Sequence, residues 1–497
     1  MTDLAALERF SERLTVPYLT HHGVLPLRLD DRVLRVGTWR DEVDMQALDD
    51  LSLIFGTEVE LVPLPEADAL LAIQRVYGDP AVTAAGMIAD LPVETRSTGG
   101  IEVPLDDLLS LANEAPVVKL VNLLVLEALE ARASDVHLEA YADTLRVRYR
   151  IDGVLQDGPA PPHHMTAAVI SRLKIMADLD IAERRVPQDG RIRLRLQDRQ
   201  VDVRVATLPT LHGESIVLRL LDKAQGWGAL EELGMSAGTL ERFVAAVSRP
   251  NGIVLATGPT GSGKTTTLYA AVDRIRTGRE KILTVEDPVE YELPGVPQVP
   301  VNEKVGVTFA TALRALLRQD PDVLLVGEIR DVETAEIATH AALTGHLVLS
   351  TLHTNDATGA LTRLLDLSIA PYLIASTVEA VLAQRLVRKV CPRCAVESAP
   401  SRDACRALGT GAADLARVWK GAGCEHCRGT GYRGRTGIYE LLAMNDELRA
   451  ALVEQRSARE VRALAAESGM VALLTDAVRL VRDGATTPEE VLRICQT

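Results

Sequence analysis

Three groups of residues in this sequence have the types and spacing to do chemistry. The first is Gly258, Pro259, Thr260, Gly261, Ser262, Gly263, Lys264 and Thr265, followed by Thr266. It fits G-x-x-x-x-G-K-[ST], placed between an apolar run read as a strand (Ile253–Thr257) and a stretch read as a helix. Glycines let backbone N–H groups close around phosphates, Lys264 reaches the β- and γ-phosphates, and the Thr265 hydroxyl takes a place on Mg²⁺. The helix N-terminus adds its partial positive charge. The chemistry implied is binding of ATP with Mg²⁺.

The second group is acidic. A phosphate-loop hydrolase also needs a carboxylate at the end of a buried strand, to hold Mg²⁺ or order the attacking water. The run Val323–Val326 supplies one as Gly327-Glu328, where an Asp more often ends the run directly. Glu286 and Asp287 end the run Ile282–Val285. Two carboxylates at the C-terminal ends of strands in one parallel sheet converge on one crevice. The plainer alternatives are helix capping for Glu328 and Asp-Pro turn chemistry for Asp287. His346 and His353 flank the run Leu347–Thr351, and about 20 Å of strand between them rules out a shared metal.

The third group is Cys391-x-x-Cys394 and Cys424-x-x-Cys427, separated by 29 residues. Four thiolates so spaced close a tetrahedral, structural Zn²⁺ site. Cys424–Gly431 reads C-x-x-C-x-G-x-G, a unit that DnaJ-type chaperones repeat; one copy does not make a chaperone. Cys405 and Cys495 have no partner pattern and read as packing residues.

These groups need a scaffold. From Leu233 onward, helical stretches alternate with short apolar runs, which argues for a parallel sheet covered by helices, an α/β domain over 230–385. The tetracysteine insert then spans 386–436, and amphipathic helix fills 437–497. Upstream, an α+β domain at 105–222 opens with a helix carrying Pro116 in its first turn, then alternates at period two. Residues 223–229 read as a joint and 91–104, rich in Pro, Gly, Ser and Thr, as a linker. Residues 1–90 form a small N-terminal domain with 16 acidic residues against 7 Arg, a net of −9.

At 497 residues with 47% apolar and 25% charged content, the chain has ample core and wholesale disorder is excluded. With 3% aromatics, that core must come from Leu, Val, Ile and Ala. The net charge of −15 disfavours nucleic acid as a partner. No apolar run is long enough to span a bilayer, and the N-terminus does not resemble a signal peptide, so a cytoplasmic protein is expected.

Taken together, the motifs resemble the type II secretion and type IV pilus assembly ATPases, from about Ala115 to Glu440. GPTGSGKTTTLY is similar to that family's phosphate loop, ILTVEDPVE to its acidic box, LLVGEIRD to its variant Mg²⁺ strand and LTGHLVLSTLHTNDA to its histidine box. APVVKLVNLLVLEALEARASDVHLE and RLKIMADLDIAERRVPQDGR are similar to its second N-terminal domain. The resemblance implies that Glu328 holds Mg²⁺ through water, Glu286 orients or activates the attacking water and His346 senses the γ-phosphate. It further implies that Arg204, Arg219, Arg314 and Arg318 reach the nucleotide, where developing phosphoryl charge needs guanidinium donors. Closing the joint at 223–229 would then couple hydrolysis to domain motion.

The tetracysteine insert is similar to the assembly and secretion branch, since the family's retraction motors usually lack it. The compact N-terminal domain and short cysteine spacing look more like type II secretion than pilus extension. The implied protein is a homo-hexameric ATPase motor, peripheral to the cytoplasmic face of the inner membrane. Its N-terminal domain would bind the cytoplasmic domain of a membrane-anchored partner, and the ring would drive pseudopilus assembly through an inner-membrane platform protein. The rival readings are a type IV pilus extension ATPase and a nucleic-acid translocase with a RecA-like core; low aromatic content and acidity argue against the second.

Overall fold

The computed structural model describes residues 10–11, 14, 16–30, 33–40, 45–65, 69, 72–73, 76–77, 115–196, 199–222, 226–409 and 415–495. The expected linker at 91–104 lies outside them, as do residues 223–225 of the expected joint. The chain divides into two compact units.

In the first unit, helix Val16–His22 precedes a three-stranded sheet of β1 (Val24–Asp30), β2 (Val33–Thr38) and β3 (Glu58–Pro63). β1 and β2 pair antiparallel. β2 and β3 pair parallel, with helix Met45–Phe55 between them in sequence. The crossover is required because parallel neighbours cannot be joined by a tight turn.

A six-stranded sheet follows helix Ala115–Glu130, in the order β6-β5-β4-β9-β8-β7: β4 (Ala133–Ala140), β5 (Leu145–Ile151), β6 (Val154–Asp157), β7 (Gln188–Leu196), β8 (Arg199–Thr210) and β9 (Gly213–Asp222). Helix Thr166–Met176 carries Lys174, whose ammonium is 1% exposed and donates to Glu214 Oε1 at 2.8 Å and to the Glu183 carbonyl at 2.6 Å. Removing one partner of a buried pair strands the other charge. Glu214→Ala is therefore expected to cost the chain about 3–5 kcal/mol, read as a lowered urea midpoint.

The second unit is built on a seven-stranded sheet. Its strands are β10 (Gly252–Thr257), β11 (Ile282–Glu286), β12 (Gln298–Pro300), β13 (Val323–Val326), β14 (Leu347–Leu352), β15 (Val378–Val390) and, past the insert, β18 (Tyr432–Ala443). The order is β12-β11-β13-β14-β10-β15-β18, parallel throughout except for the antiparallel β15–β18 pair. The apolar runs read as strands in the sequence are buried on both faces, as parallel strands must be. Ile253 and Leu255 pack into one core with helices Phe309–Leu316, Val332–Leu343 and Ala357–Asp366. Val254 and Ala256 pack into the other, with helices Ala237–Val247 and Lys264–Ile275. Both cores are mainly aliphatic, as the composition requires.

The insert differs from the sequence reading at its edges. The expected boundaries at 385/386 and 436/437 each fall inside a long strand, β15 and β18. Those strands pair from Ala380↔Ala443 to Val390↔Tyr432, so the insert grows from the end of a ladder already part of the sheet. Between them lie β16 (Ala395–Ser398) and β17 (Val418–Gly421), an antiparallel ribbon. Beyond Ala443 the chain is helical, in four segments ending at Cys495.

Candidate nucleotide site and zinc centre

β10 lies in the interior of the sheet, and its C-terminal end opens directly into Gly258. Gly258 has φ 147°, and a Cβ there would sit 2.4 Å from the Gln384 carbonyl oxygen. Gly263 has φ 88° and caps helix Lys264–Ile275 with no side-chain bond, leaving the helix's first N–H groups available for an anion. Ser262 Oγ is buried and has no hydrogen-bond partner. An orphaned buried hydroxyl in a cradle of backbone donors fits a phosphate ligand. Thr265 is exposed in the first turn of the helix.

Lys264 is 8% exposed, and its ammonium donates to the carbonyls of Gly258 at 2.7 Å and Pro259 at 3.2 Å. Burial pushes its pKa down to about 8, against the upward pull of the Glu328 carboxylate. The sign follows. Phosphate binding favours the ammonium form, which is lost as pH rises through 8, so affinity for Mg·ATP is expected to fall by up to about fivefold between pH 8 and 9. Titrations with a fluorescent ATP analogue across pH 7–9 measure this, and Lys264→Arg, which stays charged, should flatten the slope.

Glu328 follows β13 by two residues. Its Oε1 pairs with Arg330 and its Oε2 lies 3.1 Å from His353 Nε2. Capping of the next helix falls to Asp331, whose Oδ1 accepts from Thr334 N at 2.8 Å, and this leaves Glu328 to the site. His353 stands just past the C-terminal end of β14, the end level with Thr257 and the loop.

His346 does not meet the expectation placed on it. It precedes β14 at the opposite end, where its carbonyl accepts from Gly252 N and its Nδ1 donates to the Ala341 carbonyl at 2.9 Å. Six residues of strand, about 20 Å, separate that end from the loop. The histidine brought to the site is His353, and strand polarity is the signal that would have found it. In a parallel sheet, ligands sit at the carboxyl ends of the strands.

Glu286 differs too. It is 3% exposed, and its carboxylate accepts from the Tyr269 hydroxyl, from Thr284 Oγ1 at 2.6 Å and from Gln298 Nε2 at 3.0 Å. These three donors come from the phosphate-loop helix, β11 and β12, so Glu286 ties those elements together. Asp287, the next residue, is exposed.

Within the first unit, Arg219 Nε bonds its cross-strand neighbour Asp135 at 2.9 Å, and Arg204 lies on β8. In the second, Arg314 pairs with Glu333 at 2.6 Å and Arg318 donates to the Arg314 carbonyl at 2.9 Å; both are exposed. Arg314 and Arg318 make no bond to the loop, Glu286 or Glu328 among the described residues.

The four cysteine sulfurs of the insert lie within 4.8 Å of one another. Cys391–Cys424, Cys394–Cys427 and Cys424–Cys427 are 3.9, 3.8 and 3.7 Å apart. A tetrahedral zinc site with Zn–S bonds of about 2.3 Å requires S···S edges of about 3.8 Å. Cys427 Sγ also accepts from the backbone N–H groups of Cys424 and Gly431, both at 3.2 Å, as a thiolate ligand would. The donor set fits Zn²⁺. Cys405 packs into a separate apolar cluster, with Cys495 against it.

The model of the type II/IV secretion system protein family matches residues 110–493, and that of the MshEN domain matches residues 3–83. The chain belongs to the type II/IV secretion system family. It is 44% identical to the type II secretion system protein E of Pseudomonas aeruginosa over 99% of this chain and 98% of that one. It is 48% identical to the same organism's type II secretion system protein HxcR, over 88% and 89% of the two chains. The type IV pilus assembly ATPase PilB of Thermus thermophilus is 45% identical over 95% of this chain but only 53% of its own length. Among solved structures, the Yersinia pseudotuberculosis ATPase DotB superposes with a TM-score of 0.58 at 21% identity, covering 81% of this chain and 97% of that one, a likeness of fold. The ADP-bound pilus retraction motor PilT gives a TM-score of 0.50 at 26% identity, covering 74% and 95%. As a member of this ATPase family with an intact phosphate loop, the chain is an ATP hydrolase. Among the described residues, no helix is long and apolar enough to cross a membrane.

Proposed function

We propose that this chain is the ATPase motor of a type II secretion system. The observation that carries this is the match to type II secretion system protein E along essentially the whole of both chains, N-terminal domain included. The pilus alternative has comparable identity, but its relatives match over less of their own length than the Pseudomonas aeruginosa protein does: 53% for the Thermus thermophilus PilB and 81% for the Myxococcus xanthus one.

In this reading Lys264 turns from the loop carbonyls to the β- and γ-phosphates, and the backbone N–H groups at Gly261–Thr265 hold the rest. The Thr265 hydroxyl and Glu328 would hold Mg²⁺, which supplies charge neutralisation on the phosphates. His353, already bonded to Glu328, is the group placed to read the γ-phosphate. Asp287 has the solvent access that Glu286 lacks and is the better placed of the two to orient water. Arg204, Arg219, Arg314 and Arg318 would serve as phosphoryl contacts completed on assembly, since a homo-hexamer can present them to a neighbour's site. The four cysteines would hold Zn²⁺ in the insert. The N-terminal domain would dock on the cytoplasmic domain of a membrane-anchored partner, and the ring would act on an inner-membrane platform protein.

Deletion of the gene in its own host tests the system. Loss of exoprotein secretion with surface pili retained supports this reading, and lost pili with secretion intact would replace it with the pilus motor. Analytical ultracentrifugation of Glu328→Gln with ATP tests the ring.

A further inference from the structure

We propose that Gln384 is a positioning residue of the nucleotide site, the wedge on which the phosphate loop is seated. The inference rests on reading Gly258–Thr265 as that site.

Gln384 is 2% exposed and is the first polar residue after the buried run Ala380–Ala383 of β15, a place where an apolar side chain would be expected. It meets the loop at both ends. Its main-chain carbonyl oxygen faces Gly258, where even a Cβ would approach to 2.4 Å, and its side-chain Nε2 would lie 2.8 Å from a Cβ at Gly263. Its Oε1 accepts from the Thr267 hydroxyl at 2.7 Å, one turn into the helix that follows. The main chain of Gln384 thus meets the start of the loop, and its side chain meets the last glycine and the first turn behind it.

These contacts bear on nucleotide affinity. The loop binds phosphates through backbone N–H groups, whose directions depend on how Gly258 and Gly263 sit. The backbone of β15 is held independently, paired with β10 at Thr257↔Ala383 and with β18 at Gln384↔Tyr439. Gln384 therefore gives the loop a fixed floor. Without the amide, the Thr267 hydroxyl loses its bond to Gln384 Oε1 and Gly263 faces a void, so the loop gains freedom that phosphate binding must remove.

The test uses the full chain and a fluorescent ATP analogue with Mg²⁺, followed by steady-state hydrolysis. Gln384→Ala and Thr267→Val should each weaken binding about tenfold, and the double variant should be no weaker than either single one, because both break one interaction. Thr267→Ser, which keeps the hydroxyl, should bind like wild type. The loss should fall mainly on KM, with kcat changed far less. Gln384→Ala binding within twofold of wild type at an unchanged melting temperature would overturn the proposal, as would single effects that multiply. If Gln384→Ala does not fold, Thr267→Val against Thr267→Ser decides: equal affinities overturn it. Lys264→Ala separates the underlying reading, since wild-type binding by that variant would mean the loop is not the nucleotide site at all.

Discussion

Glu328→Gln is expected to lower ATP turnover by about 10²–10³-fold while leaving nucleotide affinity within a few-fold of wild type. The substitution keeps the shape of the side chain, removes the charge and leaves one acceptor oxygen in place of two. That charge stands beside Lys264, whose pKa it raises against burial, and it is balanced by Arg330. Glu328 would help hold Mg²⁺, which would supply charge neutralisation on the phosphates, and a neutral amide there would hold it more weakly. Binding survives because the loop amides and Lys264 are untouched. Steady-state phosphate release, set beside analogue binding by the same preparation, measures both halves. Equal losses in both would show that Glu328 serves binding and not the chemical step.

The second large effect concerns the insert. Cys391→Ser with Cys424→Ser should lower bound zinc from about one per chain to near zero and unfold the segment between β15 and β18. Its ribbon is four residues per strand, and its apolar support is one cluster shared with helices Leu473–Arg482 and Pro488–Cys495. Trp419, which lies against Gly484, reports the loss. Its emission should shift to the red, with zinc content measured by atomic absorption. Chelation of the wild-type chain should reproduce the shift. The ladder from Ala380 to Val390 should persist, because its pairing with β10 and β18 does not depend on the metal.

Much of this molecule could be read along the chain. The phosphate loop is a run of eight residues whose spacing is the geometry, since strand, loop and helix start are consecutive. The two cysteine pairs are likewise local, each knuckle being four residues long, and only their convergence had to be inferred. The buried parallel strands announced themselves as unbroken apolar runs because both of their faces are covered. β15 and β18 did not. VEAVLAQRLVRKV mixes charge with apolar residues because its far end leaves the covered sheet for the insert, and no local pattern marks that transition.

The site beyond the loop was a different matter. The histidine box contains two histidines seven residues apart, and which of them meets the phosphate follows only once the direction of the strand between them is set against the strand that carries the loop. Only the parallel pairing of β14 with β10 puts His353 level with the loop and His346 at the far end. Glu286 and Asp287 are adjacent carboxylates, but Glu286 is the last residue of β11 and Asp287 lies just past it, and the burial of Glu286 depends on Tyr269 and Gln298, which come from other elements. Residue types and local spacing determined which chemistry this protein carries. Tertiary structure decided which side chains share a site, because a strand's direction and the face a residue takes are set by its neighbours across the sheet.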